Sequence, residues 1–193
     1  MPYRAMEIYL IRHTTPEIDP GICYGQSDVA VKHTFPEELK SLRAHLPEKL
    51  DKVYSSPLSR CQNLASELSG TLITDRRLME MDFGHWELRR WDEIPAGEMN
   101  TWMKDFVTVK PPGGENFSML YERAGQFFDE QLKQDQERIA IVCHAGVIRA
   151  ILAKVLEIPL KNAFKMPVSY ASVTRLNLHS ESCFCSIGFL NRT

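Results

Sequence analysis

The chain has 193 residues, 44% of them hydrophobic and 25% charged, which is the composition of a packed globular protein and excludes a largely disordered or collagen-like chain. Its length predicts a single domain over residues 1–193. Lys and Arg total 23 against 25 Asp and Glu, a net charge of −2, so no overall positive field would recruit a nucleic acid or an anionic membrane surface.

No segment of the sequence is suited to a membrane or to secretion. The longest apolar stretch, residues 139–160, is interrupted by charged and ionisable side chains, and the N-terminus carries Arg4 and Glu7 in place of an apolar signal region. We therefore expect a cytoplasmic protein with no membrane partner. Five cysteines, an odd number, predict reduced thiols and no disulfide framework.

Three short apolar runs predict buried strands. In chain order they are residues 6–11, 51–55 and 138–143, each of a length suited to a buried strand. The runs 172–179 and 183–190 alternate like a hairpin and are predicted to lie at one sheet edge.

Helical spacing of apolar residues appears between these runs. Residues 58–68 form the first helix, with Ser56 as its N-cap and Pro57 at its first position. Residues 117–132 carry a second apolar stripe, and residues 147–156 form a helix that ends before Pro159. Alternating strands and helices predict a three-layer α/β sandwich, with a mostly parallel central sheet and helices on both faces.

A further apolar cluster follows Glu87. Trp91, Met99, Trp102 and Met103 are predicted to form the inner face of a helix, and a segment at this position could also act as a lid over a substrate cavity.

Ionisable side chains follow the predicted strands. Arg12 and His13 come directly after the first strand, and His144 follows the third. Arg60 lies in the first turn of the helix after the second strand. Ligands bind beyond the carboxyl ends of parallel strands, and the helix that begins near Gly146 offers unpaired backbone N–H groups there. Together these groups predict a pocket for a phosphate.

A structural interpretation of the same residues is also open. A single histidine beside a strand is more often a hydrogen-bonded structural residue than a catalyst. Arg12 and Arg60 could equally be surface charges that pair weakly with Glu7 and Glu67. The phosphate pocket depends on all four groups meeting at one edge of the sheet.

Five motifs occur in order and together resemble the histidine phosphatase superfamily, whose fold is phosphoglycerate mutase-like. They are LIRHT at 10–14, SSPLSRC at 55–61, LMEMDFGHWE at 78–87, GE at 114–115 and VCHAG at 142–146. Within this family, RHTTP at 12–16 followed by GICYGQSD at 21–28 is most similar to the α-ribazole-5′-phosphate phosphatases of cobalamin synthesis.

The resemblance implies a phosphomonoesterase that acts through a phosphohistidine. His13 would attack phosphorus through one neutral ring nitrogen, while a backbone carbonyl holds the other. Arg12, Arg60 and a protonated His144 would neutralise the phosphoryl oxygens, so that no metal and no other cofactor is expected.

The resemblance also assigns the general acid. Glu80 would protonate the leaving group and then activate water, with burial beside Phe83 and Trp86 helping the carboxyl to keep its proton. Asp82 is the competing carboxylate. The substrate contacts expected around this centre are Thr14, Tyr24, Gln26, Phe83, Trp86 and Ala145.

Some positions depart from the family pattern. Thr14 and Leu88 stand where many relatives have glycine, Asn116 stands where serine is common, and Asp19 replaces an asparagine found in mutase-like members. The expected partner is a small-molecule phosphate ester, with α-ribazole 5′-phosphate first and a broad range of sugar phosphates as the alternative. A non-catalytic phosphate- or phosphohistidine-binding regulator is the alternative from another class.

Overall fold

A six-stranded sheet forms the centre of the molecule in the computed structural model, which describes residues 5–179 and 184–193. The strand order is β3-β2-β4-β1-β5-β6. The strands are β1 Ala5–Arg12, β2 Lys52–Ser55, β3 Thr71–Thr74, β4 Arg138–Cys143, β5 Val173–His179 and β6 Phe184–Arg192. Strands β1 to β4 are mutually parallel, whereas β5 and β6 form the antiparallel hairpin at one edge.

Helices cover both faces of the sheet. They are α1 Phe35–Arg43, α2 Ser59–Ala65, α3 Ala96–Lys104, α4 Phe117–Gln131 and α5 Ala145–Val155. On one face, α1 and α2 pack their apolar side chains against Val53 and Val142. On the other, α4 and α5 pack against Ile8 and Ile141. The predicted three-layer α/β sandwich with a mostly parallel sheet is therefore confirmed.

The predicted start of α2 is wrong. The N-cap is Leu58, which makes no side-chain capping bond, and the helix begins at Ser59, two residues after Pro57. The hydroxyl of Ser56 instead lies 2.9 Å from the Nε2 atom of His144. The side chain that the sequence offers as a cap is therefore directed towards the end of β4.

Two elements were not predicted from the sequence. Strand β3 is a mostly exposed edge strand, so it lacks the continuous apolar run that identifies β1 and β4. Helix α1 buries only Leu39 and Leu42, which is too sparse a pattern to stand out. The predicted hairpin is confirmed over the described residues; Cys183, within its second run, lies outside them.

The segment after Glu87 packs partly as predicted. Trp102 of α3 is buried and stacks on Trp91 with ring centroids 6.3 Å apart. Met103 is exposed, so its placement on the inner face is wrong.

Cys23, Cys61 and Cys143 are buried free thiols. Within the described ranges, none of the helices combines the length and apolarity needed to cross a membrane.

Candidate active site

Two histidines meet where adjacent parallel strands end. In the register of β1 and β4, Arg12 lies opposite Cys143, so the next residue of each strand, His13 or His144, emerges at the same edge of the sheet. The backbone N–H of His13 donates to the carbonyl of Cys143 at 3.1 Å. The two ring centroids are 5.1 Å apart in an edge-to-face arrangement. The predicted juxtaposition of the imidazoles is thus present.

The ring of His13 is oriented by a backbone carbonyl. Its Nδ1 atom lies 2.7 Å from the carbonyl oxygen of Thr14, and because a carbonyl can only accept, Nδ1 carries the proton. Burial, reinforced by the positive charges of Arg60 and Arg12, holds the pKa of His13 well below its usual 6.5. The ring is therefore neutral at physiological pH, with the lone pair on Nε2.

His144 is enclosed beside His13 at the end of β4. The ring is fully buried, and Ser56 Oγ contacts its Nε2 atom at 2.9 Å. Burial first, and then the charges of His13, Arg60 and Arg12, hold the pKa of His144 well below 6.5. Burial beside the two arginines thus disfavours the charged ring in the free protein, and the protonated His144 expected beside a bound phosphoryl group stays a prediction.

Two guanidinium groups flank the histidines. Arg12 donates to the carbonyl of Val168 at 2.7 Å and lies 3.6 Å above the ring of Tyr170. Arg60 is fully buried and donates to the carbonyls of Ser27 and Gly25 at 2.8 and 2.7 Å. Both side chains are held rigidly by neutral acceptors, so their charges remain available to an anion.

The structure excludes weak surface ion pairs of Arg12 and Arg60 with Glu7 and Glu67. Glu67 pairs with Arg43, and Glu7 pairs with Arg138 and Arg175. Within the described ranges, no carboxylate lies within 4.0 Å of the guanidinium of Arg12 or Arg60.

Three buried donors near the histidines lack protein partners in the described part of the chain. They are the Nε atoms of Arg12 and Arg60 and the hydroxyl of Thr14. Buried polar groups are normally hydrogen-bonded, so unpaired donors next to two uncompensated cations identify a site suited to an anion. The contact predicted for Thr14, donation of its hydroxyl to a phosphate, is compatible with this position.

Glu80 lies at the N-terminus of α5. Its Oε2 atom accepts from the N–H of Gly146 at 3.1 Å and its Oε1 atom from the N–H of Met81 at 2.9 Å. A side chain at position 146 would overlap the carboxylate, so the contact requires glycine. The N–H of Gly146, predicted to be unpaired, is therefore occupied by Glu80. Asp82 accepts from the N–H of Gly84 and does not line the adjacent cavity.

Of the two aromatic neighbours predicted for Glu80, only Phe83 lines the cavity next to it. Trp86 is 1% exposed, donates from Nε1 to Glu98 and packs against Trp102. In this structure its ring lies in the core and does not line the cavity, and its contact with substrate stays a prediction. The indole on the cavity wall is that of Trp91, whose ring meets Phe83 edge-to-face at 5.2 Å.

The other predicted substrate contacts also differ in whether they line the cavity. Tyr24 and Ala145 line the cavity, and the hydroxyl of Tyr24 bonds that of Tyr170 at 2.8 Å. Gln26 does not line it; its side-chain amide donates to the backbone carbonyl of Glu80 at 3.0 Å. Gln26 therefore positions the candidate acid, and the hydrogen-bonding edge that it would offer to substrate stays a prediction.

Two further acidic residues of the family motifs organise the loops. Glu87 accepts from the backbone N–H groups of Gln26 and Ser27 and from that of Phe83. Glu115 pairs with Arg123, whose guanidinium also donates to the carbonyls of Arg77, Met79 and Glu80. The segment that carries Glu80 is thus fixed from both sides.

A cavity of about 190 Å³ opens beside Glu80. Its wall is largely apolar and aromatic, with Ile22, Met81, Phe83, Trp91, Phe117 and Phe164. Arg149 also lines it, a residue that the sequence indicated only as one charge on an otherwise apolar helix. Tyr170 was also missed, since no sequence pattern connects it to β1.

The described residues contain no group of three or more His, Cys, Asp or Glu side chains placed to hold a metal ion.

Comparisons with known proteins identify the family and the fold of the chain. The family model of the histidine phosphatase superfamily (branch 1) matches residues 8–187. Phosphoserine phosphatase 1 of Hydrogenobacter thermophilus is 26% identical over 90% of this chain and 87% of its own. The adenosylcobalamin/alpha-ribazole phosphatase of Escherichia coli K12 is 25% identical over 96% of both chains.

A solved structure supports the fold. The alpha-ribazole phosphatase of Shigella flexneri superposes with a TM-score of 0.87 at 24% identity, covering 96% of each chain. The chain therefore belongs to the histidine phosphatase superfamily, with its phosphoglycerate mutase-like fold, and is a phosphoric monoester hydrolase.

Proposed function

We propose that this enzyme hydrolyses small phosphate esters without a metal ion, through a phosphohistidine formed on His13. The observation that carries the proposal is the pair of buried imidazoles, with ring centroids 5.1 Å apart, beside Arg12 and Arg60. In the described part of the chain neither guanidinium has a carboxylate partner. A phosphoryl group placed there would meet a nucleophilic nitrogen and two fixed positive charges.

The first step transfers the phosphoryl group to the enzyme. The lone pair of His13 Nε2 forms the N–P bond as the bond from phosphorus to the ester oxygen breaks. Glu80, next to the cavity that would hold the leaving group, gives its proton to that oxygen, and the alcohol departs. The Thr14 carbonyl stabilises the positive charge that develops on the imidazole, because Nδ1–H donates to it.

The second step returns the enzyme to its starting state. The Glu80 carboxylate takes a proton from water as the water oxygen attacks phosphorus, the N–P bond breaks, and inorganic phosphate leaves with His13 neutral again. Arg12 and Arg60 hold the phosphoryl oxygens in both steps, supplying the positive charge that metal ions supply in many other phosphotransferases.

His144 would stabilise the phosphoryl group once it carries a proton. Burial and the charges of the two arginines lower the pKa of the free ring, and a phosphoryl dianion between the two rings would act in the opposite direction by offsetting the arginine charges. Ser56 holds Nε2 of the ring during this change.

For the substrate, α-ribazole 5′-phosphate remains a candidate. The aromatic wall formed by Tyr24, Phe83 and Trp91 suits the flat base of a nucleotide-like ester, and two of the compared proteins carry alpha-ribazole phosphatase names. The alternative is a broad-specificity sugar-phosphate phosphatase, which would place a sugar in the same cavity. Ranking kcat/KM over a panel of phosphate esters decides between them.

The decisive test of the reaction is trapping of the intermediate. Mixing the enzyme with a phosphate ester carrying labelled phosphorus and quenching in base should leave label on His13 that is lost in acid. In the variant His13→Ala the label should be absent; label that survives there overturns the proposed nucleophile.

A non-catalytic phosphate-binding regulator would need no acid at position 80. Hydrolysis of p-nitrophenyl phosphate in the presence of a chelator separates the two functions. We expect turnover by the native chain between pH 5 and 8, and none at any pH would favour the regulator.

A further inference from the structure

Arg149 brings a cation into the cavity on the leaving-group side of the candidate active site. It lies on α5, three residues after Gly146, and residues at this spacing share one face of a helix. Gly146, Arg149 and Glu80 accordingly line the same cavity. His13, which carries the attacking nitrogen, does not line this cavity. Arg149 therefore belongs to the part of the site next to the acid Glu80.

The charge of Arg149 is incompletely satisfied by the protein. Its Nε donates to the carbonyl of Met166 at 3.1 Å, and the guanidinium lies 5.0 Å from the centre of the Phe164 ring. Within residues 5–179 and 184–193, neither of its terminal nitrogens has a protein acceptor and no carboxylate lies within 4.0 Å of it.

The surroundings make an anionic partner favourable. Burial lowers the pKa of Arg149, opposed by the nearby charge of Glu80, but a guanidinium stays charged at neutral pH. Partly buried beside the ring of Phe164, a guanidinium gains more from a charged acceptor than it would in water.

We propose that Arg149 binds a carboxylate on the leaving group and makes the enzyme selective for phosphate esters of small hydroxy or amino acids. This inference rests on the proposed phosphatase reaction and names its substrate class. A carboxylate matches the two terminal N–H groups of one guanidinium. A second phosphate would bring about two charges to a cavity in which Arg149 is the only basic lining residue described.

The same argument ranks the candidate substrates. The base and sugar of α-ribazole 5′-phosphate are uncharged and would leave Arg149 without an anionic partner, although they suit the aromatic wall. One of the compared relatives is named a phosphoserine phosphatase, and phosphoserine has a leaving group of the proposed class.

A pair of esters that differ only in the carboxylate tests this directly. O-Phosphoserine and O-phosphoethanolamine have the same phosphorylated CH₂ and the same ammonium group. We expect the native enzyme to prefer phosphoserine in kcat/KM. In Arg149→Met this preference should fall on the order of 10- to 100-fold, as for loss of a charge-assisted hydrogen bond, and in Arg149→Lys it should be partly retained.

Lys154→Met is the matched control. Lys154 lies on the same helix and pairs with Asp129 outside the cavity, so its loss removes one positive charge without touching the leaving group. The preference should be unchanged in this variant. Because both esters are measured on the same preparation, their ratio is independent of the fraction of folded enzyme.

The outcomes separate the inference from the reaction it rests on. The role of Arg149 is overturned if Arg149→Met loses activity equally on both esters, or if the native enzyme favours α-ribazole 5′-phosphate over phosphoserine. In either case, turnover of p-nitrophenyl phosphate still supports the proposed phosphatase reaction. An Arg149-dependent preference for a sugar bisphosphate without one for phosphoserine also overturns the carboxylate assignment. Absence of turnover on all esters and no label on His13 refutes the proposed function itself.

Discussion

The two buried imidazoles should make the free enzyme unusually sensitive to acid. Each ring has a pKa well below the ordinary 6.5 because it is buried among cations. At acidic pH the unfolded chain therefore binds protons that the folded protein does not accept. The stability that the neutral rings contribute is fully present above pH 6.5. It is lost as the pH falls, because protons then bind preferentially to the unfolded state.

The size of the effect follows from this difference in protonation. If a ring stays neutral in the folded protein while the unfolded chain titrates near 6.5, the free energy of unfolding falls by up to about 2 kcal/mol per histidine between pH 7.5 and pH 5. His13 and His144 together would then account for up to about 4 kcal/mol, a large share of the roughly 5–15 kcal/mol that stabilises an ordinary domain.

Urea unfolding at pH 7.5 and pH 5.0, followed by tryptophan fluorescence, measures this loss. The native protein should lose about 2 kcal/mol more between these pH values than His144→Asn, which no longer has the second ring. His33→Asn, which alters an exposed histidine outside the site, should behave like the native protein. If His144→Asn shows the same acid sensitivity as the native chain, the buried neutral pair is not the cause.

Three further predictions concern catalysis. Glu80→Gln should slow hydrolysis of alkyl phosphates much more than that of p-nitrophenyl phosphate, whose leaving group needs no proton; equal losses of kcat would remove Glu80 from the acid role. Arg60→Ala should lower kcat/KM on the order of 100-fold or more, and a native-like rate would contradict its role. Ser56→Ala should lower kcat/KM by roughly 10-fold by freeing the His144 ring, whereas a shift in thermal stability without a rate change would leave Ser56 a purely structural residue.

The position of the two histidines was predictable because it depends on strand ends alone. Continuous apolar runs identified β1 and β4, and parallel neighbours in a sheet bring the residues that follow them to one edge. His13 and His144 needed no further information to be placed together. The exposed edge strand Thr71–Thr74 lacked this signal, since a sparsely buried strand leaves little apolar pattern.

The surroundings of the catalytic candidates could not be predicted in the same way. Trp86 and Trp91 are both aromatic and close in sequence, yet one lies in the core and the other on the cavity wall. Which of them meets a ligand depends on how the loop packs on α3. Likewise, the pKa of His144 is lowered first by burial and then by charges such as those of Arg60 and Arg12, which is a property of the assembled site.

The position of Glu80 also depends on contacts that no sequence pattern carries. The sequence suggested an apolar enclosure, but the carboxylate accepts two backbone N–H bonds, one of them from Gly146. The backbone carbonyl of Glu80 in turn accepts from the side chains of Gln26 and Arg123. Segments distant in sequence therefore hold the candidate acid beside the cavity, and one of them, the N-terminus of α5, belongs to the same helix that carries Arg149. The acid and the proposed carboxylate-binding cation are thus placed relative to each other by one helix, which is a property of the assembled fold.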